Sequence, residues 1–95
     1  MFWNKKEEYI FNENIREIIV LGLPGCSSCL VLFNNIKKVL AEFGTEKEPV
    51  YICDLEKVKE YGVMTVPTLI IDGRKIFEGK SVSVSRLREI LGQKI

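Results

Sequence analysis

Apolar positions along this chain follow two rhythms. Short unbroken runs alternate with longer stretches in which apolar residues recur every three to four positions. The run from about Glu17 to Leu21, the run V-Y-I-C-D from Val50 to Asp54, and Thr68 to Ile71 read as strands. Val50 to Cys53 is apolar at four consecutive positions, as for a strand covered on both faces. Asp72-Gly73 is a two-residue hairpin signal, and Arg74 to Glu78 is the returning strand. Leu30, Leu32, Phe33, Ile36, Val39, Leu40 and Phe43 mark an amphipathic helix whose polar face carries Asn34, Asn35, Lys37, Lys38 and Glu42, and Gly44 stops it. Leu55, Val58 and Tyr61 mark a short helix ended by Gly62. Ser83 caps a last helix whose buried face is Val84, Leu87, Ile90 and Leu91, with Val82 and Leu87 as a hydrophobic staple and Gly92 as the stop.

The predicted order is β-α-β-α-β-β-α. Its first β-α-β unit makes parallel strands through a right-handed crossover, and the hairpin adds an antiparallel pair. Helices on both faces then give an α/β three-layer sandwich around a mixed four-stranded sheet. Residues 1–95 are expected to form a single domain, with 1–16 as an N-terminal extension. Within that extension Tyr9 to Phe11 reads as a short strand or as part of a helix, packing its aromatics onto the domain.

Between the first strand and the long helix, Gly22, Pro24 and Gly25 break the pattern, and Cys26 and Cys29 follow with two serines between them. Cys26 thus falls near the first turn of a helix. The N–H groups there lack intrahelical partners and carry roughly half a positive charge, which stabilises a thiolate. Cys26 reads as a nucleophile and Cys29 as its resolving partner. The competing reading of two core thiols is weaker at this position. A closed zinc site normally needs four Cys or His ligands. This chain has 3 cysteines and no histidine, so it would need a carboxylate or a second subunit. Cys53 reads as a small buried core residue, and Asp54 as a helix cap.

Composition narrows the function further. Fourteen basic and 13 acidic residues leave a net charge of +1, which argues against a nucleic-acid partner. No apolar run reaches the length of a membrane span. The start of the chain has no apolar export segment, so the expected compartment is the reducing cytoplasm, where a cysteine pair is catalytic or metal-binding rather than structural.

The strand–C-S-S-C–helix unit, together with G-V-M-T-V-P-T-L-I-I-D-G from Gly62 to Gly73, resembles the thioredoxin-like superfamily. The resemblance covers about Ile18 to Leu91. It implies a cis Val66–Pro67 bond facing the cysteine pair. It also implies that Thr65, Val66 and Pro67 bind the substrate, with the Val66 backbone free to pair with an extended thiol-bearing peptide. Within the superfamily the chain is more similar to glutaredoxins and small prokaryotic redox-active disulfide proteins than to thioredoxin. Thr65-Val66-Pro67 matches the T-V-P of glutaredoxins. The chain lacks thioredoxin's W-C-G-P-C, and Val20 stands at the position of its buried acid. It departs from the glutathione site as well: Leu23 replaces a basic residue, Gly79 is followed by Lys80, and the last helix opens Ser81-Val82-Ser83. The implied activity is dithiol oxidoreduction without metal or organic cofactor. The partners are a disulfide-containing protein or small thiol, with a thiol reductase or glutathione as reductant. The alternatives are a glutathione-dependent glutaredoxin and a metal-binding or redox-sensing module.

Overall fold

The computed structural model describes residues 9–80 and 82–94. Its elements are β1 (Tyr9–Phe11), β2 (Ile18–Leu21), α1 (Ser27–Phe43), β3 (Val50–Ile52), α2 (Leu55–Glu60), β4 (Thr68–Ile71), β5 (Arg74–Glu78), α3 (Val84–Leu91) and β6 (Gly92–Lys94). The central sheet has strand order β3-β2-β4-β5, with β2 parallel to β3 and antiparallel to β4. This is the expected mixed four-stranded α/β sandwich.

The unbroken apolar runs of β2 and β4 have a direct structural cause. Successive side chains of a strand point to opposite faces, so a strand covered on both faces is apolar throughout. Ile18 and Val20 enter the larger core, with Leu69 and Ile71 of β4 and the inner faces of α1 and α3. Ile19 and Leu21 enter the smaller core on the other face, with Ile70 and Val58 of α2. All eight residues of β2 and β4 are buried. Each aliphatic side chain so buried contributes about 1.5–3 kcal/mol.

Helix α1 buries Cys29, Leu32, Ile36, Val39 and Leu40. Leu30, expected on this face, is exposed. It lies one residue, about 100° of helical rotation, from Cys29, which takes the inward position instead. The helix ends at Gly44 with φ 73°; the Gly44 N–H donates to Ala41 O and the Thr45 N–H to Leu40 O, a Schellman closure. Arg88 of α3 and Glu42 of α1 form a two-pronged ion pair at 2.8 and 3.2 Å, joining the two helices that share the larger core.

Two further expectations change. Strand β3 stops at Ile52 and lies at the sheet edge, with Val50 48% exposed, so it is not covered on both faces. In α2 only Val58 is buried; Leu55 and Tyr61 are exposed, because a helix of 6 residues reaches the smaller core with one side chain. Tyr9–Phe11 takes the strand alternative: β1 pairs antiparallel with β6, a strand the sequence pattern does not mark. Phe11 is buried against Phe43, with ring centroids 6.2 Å apart. Trp3 lies outside the described residues.

Candidate active site

The turn that delivers the cysteine pair is built from four residues. The Cys26 N–H donates to Leu23 O at 3.1 Å, with Pro24 and Gly25 between them and Gly25 at φ 80°. Proline followed by a positive-φ glycine is the signature of a type II turn. It places Cys26 in extended backbone as the N-cap of α1. The position usually taken by a serine or aspartate oxygen is here taken by sulfur: the Cys29 N–H donates to Cys26 Sγ at 3.3 Å. Ser28 Oγ lies 3.5 Å from the same sulfur.

Cys26 and Cys29 are joined as a disulfide, with their Cα atoms 5.3 Å apart. The two sulfurs differ in access. Cys26 is half-buried and its serine neighbours are exposed, whereas Cys29 is 0% exposed. The thiol at the cap is reachable from solvent, and its partner lies one turn deeper against the core.

Gly22 makes that depth possible. A Cβ there would stand 2.8 Å from Tyr51 Cζ and 2.9 Å from Cys29 Cβ. The bare glycine therefore lets the Tyr51 ring and the start of α1 close on the same point. Tyr51 packs on Phe33, with centroids 5.4 Å apart, and its hydroxyl points to Leu23 O at 3.5 Å. Burial, and then the neighbouring Cys53, push the Tyr51 phenol above its usual pKa. Cys53 is a free thiol and half-buried, not the fully buried core residue expected, because the chain has left β3 before reaching it.

Thr65, Val66 and Pro67 enter from the other side. In the β2–β4 register Leu21 stands opposite Thr68, so the chain leaving β2 and the chain entering β4 lie at one end of the sheet. The Val66–Pro67 bond is cis. Leu23, just before the cysteine pair, lines a mainly apolar groove of about 300 Å³ together with Leu55, Val58, Val63, Met64 and Val66. Met64 is 90% exposed at its rim.

The segment before Pro67 is tied down by a residue that sequence reasoning missed. Glu78 Oε2 accepts hydrogen bonds from the Met64 N–H and, at 3.1 Å, the Thr65 N–H, and Lys75 Nζ donates to Glu78 Oε1 at 2.7 Å. The Lys75 hydrogen bond, followed by the Met64 amide, holds the Glu78 carboxyl at about 2, well below the usual carboxylate range. It is ionised at neutral pH. Nothing in the sequence marks Glu78 for this role, because its partners in the loop are backbone amides. Among the described residues no group of three or more His, Cys, Asp and Glu side chains is placed to hold a metal ion. None of the described helices is long and apolar enough to cross a membrane.

A disulfide bridging the cap and first turn of a helix, at the end of a central strand and beside a cis-proline segment, defines a thiol–disulfide oxidoreductase of thioredoxin-like build. The thioredoxin domain family model matches residues 16–92, and the chain belongs to that family. It is similar to a thioredoxin of Methanocaldococcus jannaschii, 32% identical over 79 residues that cover 81% of this chain and 91% of the relative. It is also similar to a thioredoxin of Methanothermobacter thermautotrophicus, 28% identical over 67 residues that cover 70% and 87% of the two chains. As a thiol–disulfide oxidoreductase the chain acts on disulfide substrates.

Proposed function

We propose that this single-domain chain is a protein-disulfide reductase of the cytoplasm in which Cys26 attacks and Cys29 resolves. The observation that carries the reading is the difference in access between the two sulfurs, half-buried at the helix cap and fully buried one turn on. In the reduced protein the Cys26 thiolate attacks one sulfur of a substrate disulfide. A mixed disulfide forms, and the other substrate sulfur leaves as a thiolate that takes up a proton. Cys29, deprotonated, attacks Cys26; the second substrate thiol is released and the Cys26–Cys29 bond forms. Two electrons pass from the dithiol to the substrate. The Cys29 N–H that points at Cys26 Sγ, with the helix N-terminus behind it, stabilises the attacking thiolate.

Thr65, Val66 and Pro67 hold the substrate chain. Between the proline segment and Leu23 the groove offers apolar contact for side chains flanking the attacked cysteine. The reductant is a thiol reductase acting on the Cys26–Cys29 disulfide. Leu23, Lys80 and the Ser81-Val82-Ser83 opening depart from the glutathione-site pattern of glutaredoxins, which supports a protein reductant over glutathione.

Trapping tests this reading. Cys29→Ser keeps the attack and removes the resolution, so mixed disulfides accumulate in cell extract and disappear with reductant. Cys26→Ser traps little. Protein adducts are expected; a dominant glutathione adduct would favour the glutaredoxin reading. Equal trapping by both variants would contradict the division of roles.

A further inference from the structure

The hydrogen bonding around Val66 is uneven. Its neighbours are all engaged: Met64 N–H and Thr65 N–H with Glu78, Thr65 O with Thr68 Oγ1 at 2.8 Å, and Pro67 O with the Gly79 N–H at 2.8 Å. Among the described residues the Val66 N–H and C=O have no partner. An unpaired N–H and C=O on open backbone is what an incoming peptide strand needs. The segment is held so that one residue is left open.

Lys75 reaches Glu78 because of an irregularity in β5. Leu69 pairs with Phe77 but Ile70 pairs with Lys75, so Ile76 is an extra residue in the ladder. Residues three apart in a regular strand face opposite sides. The bulge cancels that alternation and brings Lys75 and Glu78 together, and bulges commonly re-aim side chains in this way. At Gly79, φ 75°, an added Cβ would stand 3.2 Å from Thr65 Cβ, so the missing side chain lets β5 close on the same loop.

We propose that Glu78 is a positioning residue for substrate pairing: its carboxylate fixes the Met64 and Thr65 amides so that Val66 alone is presented to a substrate strand. The inference rests on the protein-disulfide reading above. It assigns to Glu78 the discrimination between an extended polypeptide, which pairs with Val66, and a small disulfide, which needs only the sulfurs. Lys75 bonds the other carboxylate oxygen, Oε1, and neither loop amide.

The test is steady-state reduction of insulin and of a small aromatic disulfide by the full chain, with E78A, E78Q and K75M. For insulin E78A raises KM about tenfold and leaves kcat within about twofold, as for loss of an interaction made equally in ground and transition states. E78Q, whose amide oxygen still accepts, recovers most of that loss, and K75M behaves as wild type. The small disulfide is reduced equally by all four proteins, and the Cys26–Cys29 reduction potential is the same in all. Amide hydrogen exchange gives a second readout that tolerates a weakened fold: Met64 and Thr65 exchange faster in E78A, while the amides of β2 do not. An unchanged insulin KM in E78A, or an equal loss on both substrates, would overturn the role of Glu78. Failure of the wild-type chain to reduce insulin while it reduces the small disulfide would instead overturn the protein-disulfide reading.

Discussion

Cys26 performs two tasks that in most helices fall to different groups: its sulfur is the helix cap and the accessible end of the disulfide. Its reactivity therefore depends on backbone geometry, which the Leu23-Pro24-Gly25-Cys26 turn fixes. Gly22 is the residue on which the other end of the disulfide depends. In Gly22→Ala the new methyl meets the Tyr51 ring and Cys29 Cβ, both inside 3 Å. Overpacking of this kind costs about 1–3 kcal/mol. Urea denaturation is expected to show that loss, and Tyr51→Ala in the same chain to recover part of it. Strict additivity of the two substitutions would mean that Gly22 and Tyr51 do not share the contact.

At the scale of elements, the two faces of β2 divide the molecule into its two cores, and the hairpin β4–β5 is locked to the start of β2. Asp72 and Gly73 both have positive φ, 51° and 81°, as the tight two-residue turn requires. Asp72 Oδ1 also accepts from the Arg16 and Glu17 N–H groups at 2.9 and 2.8 Å, and the Asp72 N–H donates to Glu17 O at 3.0 Å. Asp72→Ala loses both acceptor contacts and keeps an unfavourable backbone, a destabilisation of about 2 kcal/mol. Asp72→Asn keeps an oxygen acceptor and tolerates the left-handed conformation, so it is expected to lose less than half of that. Thermal unfolding of the two variants checks the order. The hairpin itself was legible in the sequence from Asp-Gly after the apolar run of β4. Its tether to Arg16 and Glu17 was not, because the acceptor and its donors are more than fifty positions apart.

At the scale of the whole molecule, what the sequence disclosed was what local pattern encodes. The buried strands β2 and β4, the amphipathic helices α1 and α3, the caps at Asp54 and Ser83, and the cysteine pair at a helix start all carry period or spacing, and all are in place. The pairing of β1 with β6 joins the two ends of the described chain, and neither Tyr9–Phe11 nor Gly92–Lys94 has a readable alternation. Gly92 reads as a helix stop, yet a Cβ there would stand 2.9 Å from Ile10 O and 2.8 Å from Phe43 Cζ, so it also admits the crossing strand. The site divides in the same way. Cys26, Cys29 and the Thr65-Val66-Pro67 segment stand out as motifs, whereas Gly22, Tyr51 and Glu78 act through contacts that only the fold creates. The central claim remains that this fold makes two cysteines chemically unequal. It is tested most directly by alkylating the reduced protein with iodoacetamide over a range of pH and reading each cysteine by mass spectrometry. Cys26 is expected to react first, with a midpoint clearly below the free-thiol value of about 8.5, and Cys29 to stay largely unmodified until well above it. Alkylation of Cys29 before Cys26, or of both together near the free-thiol value, would contradict the account.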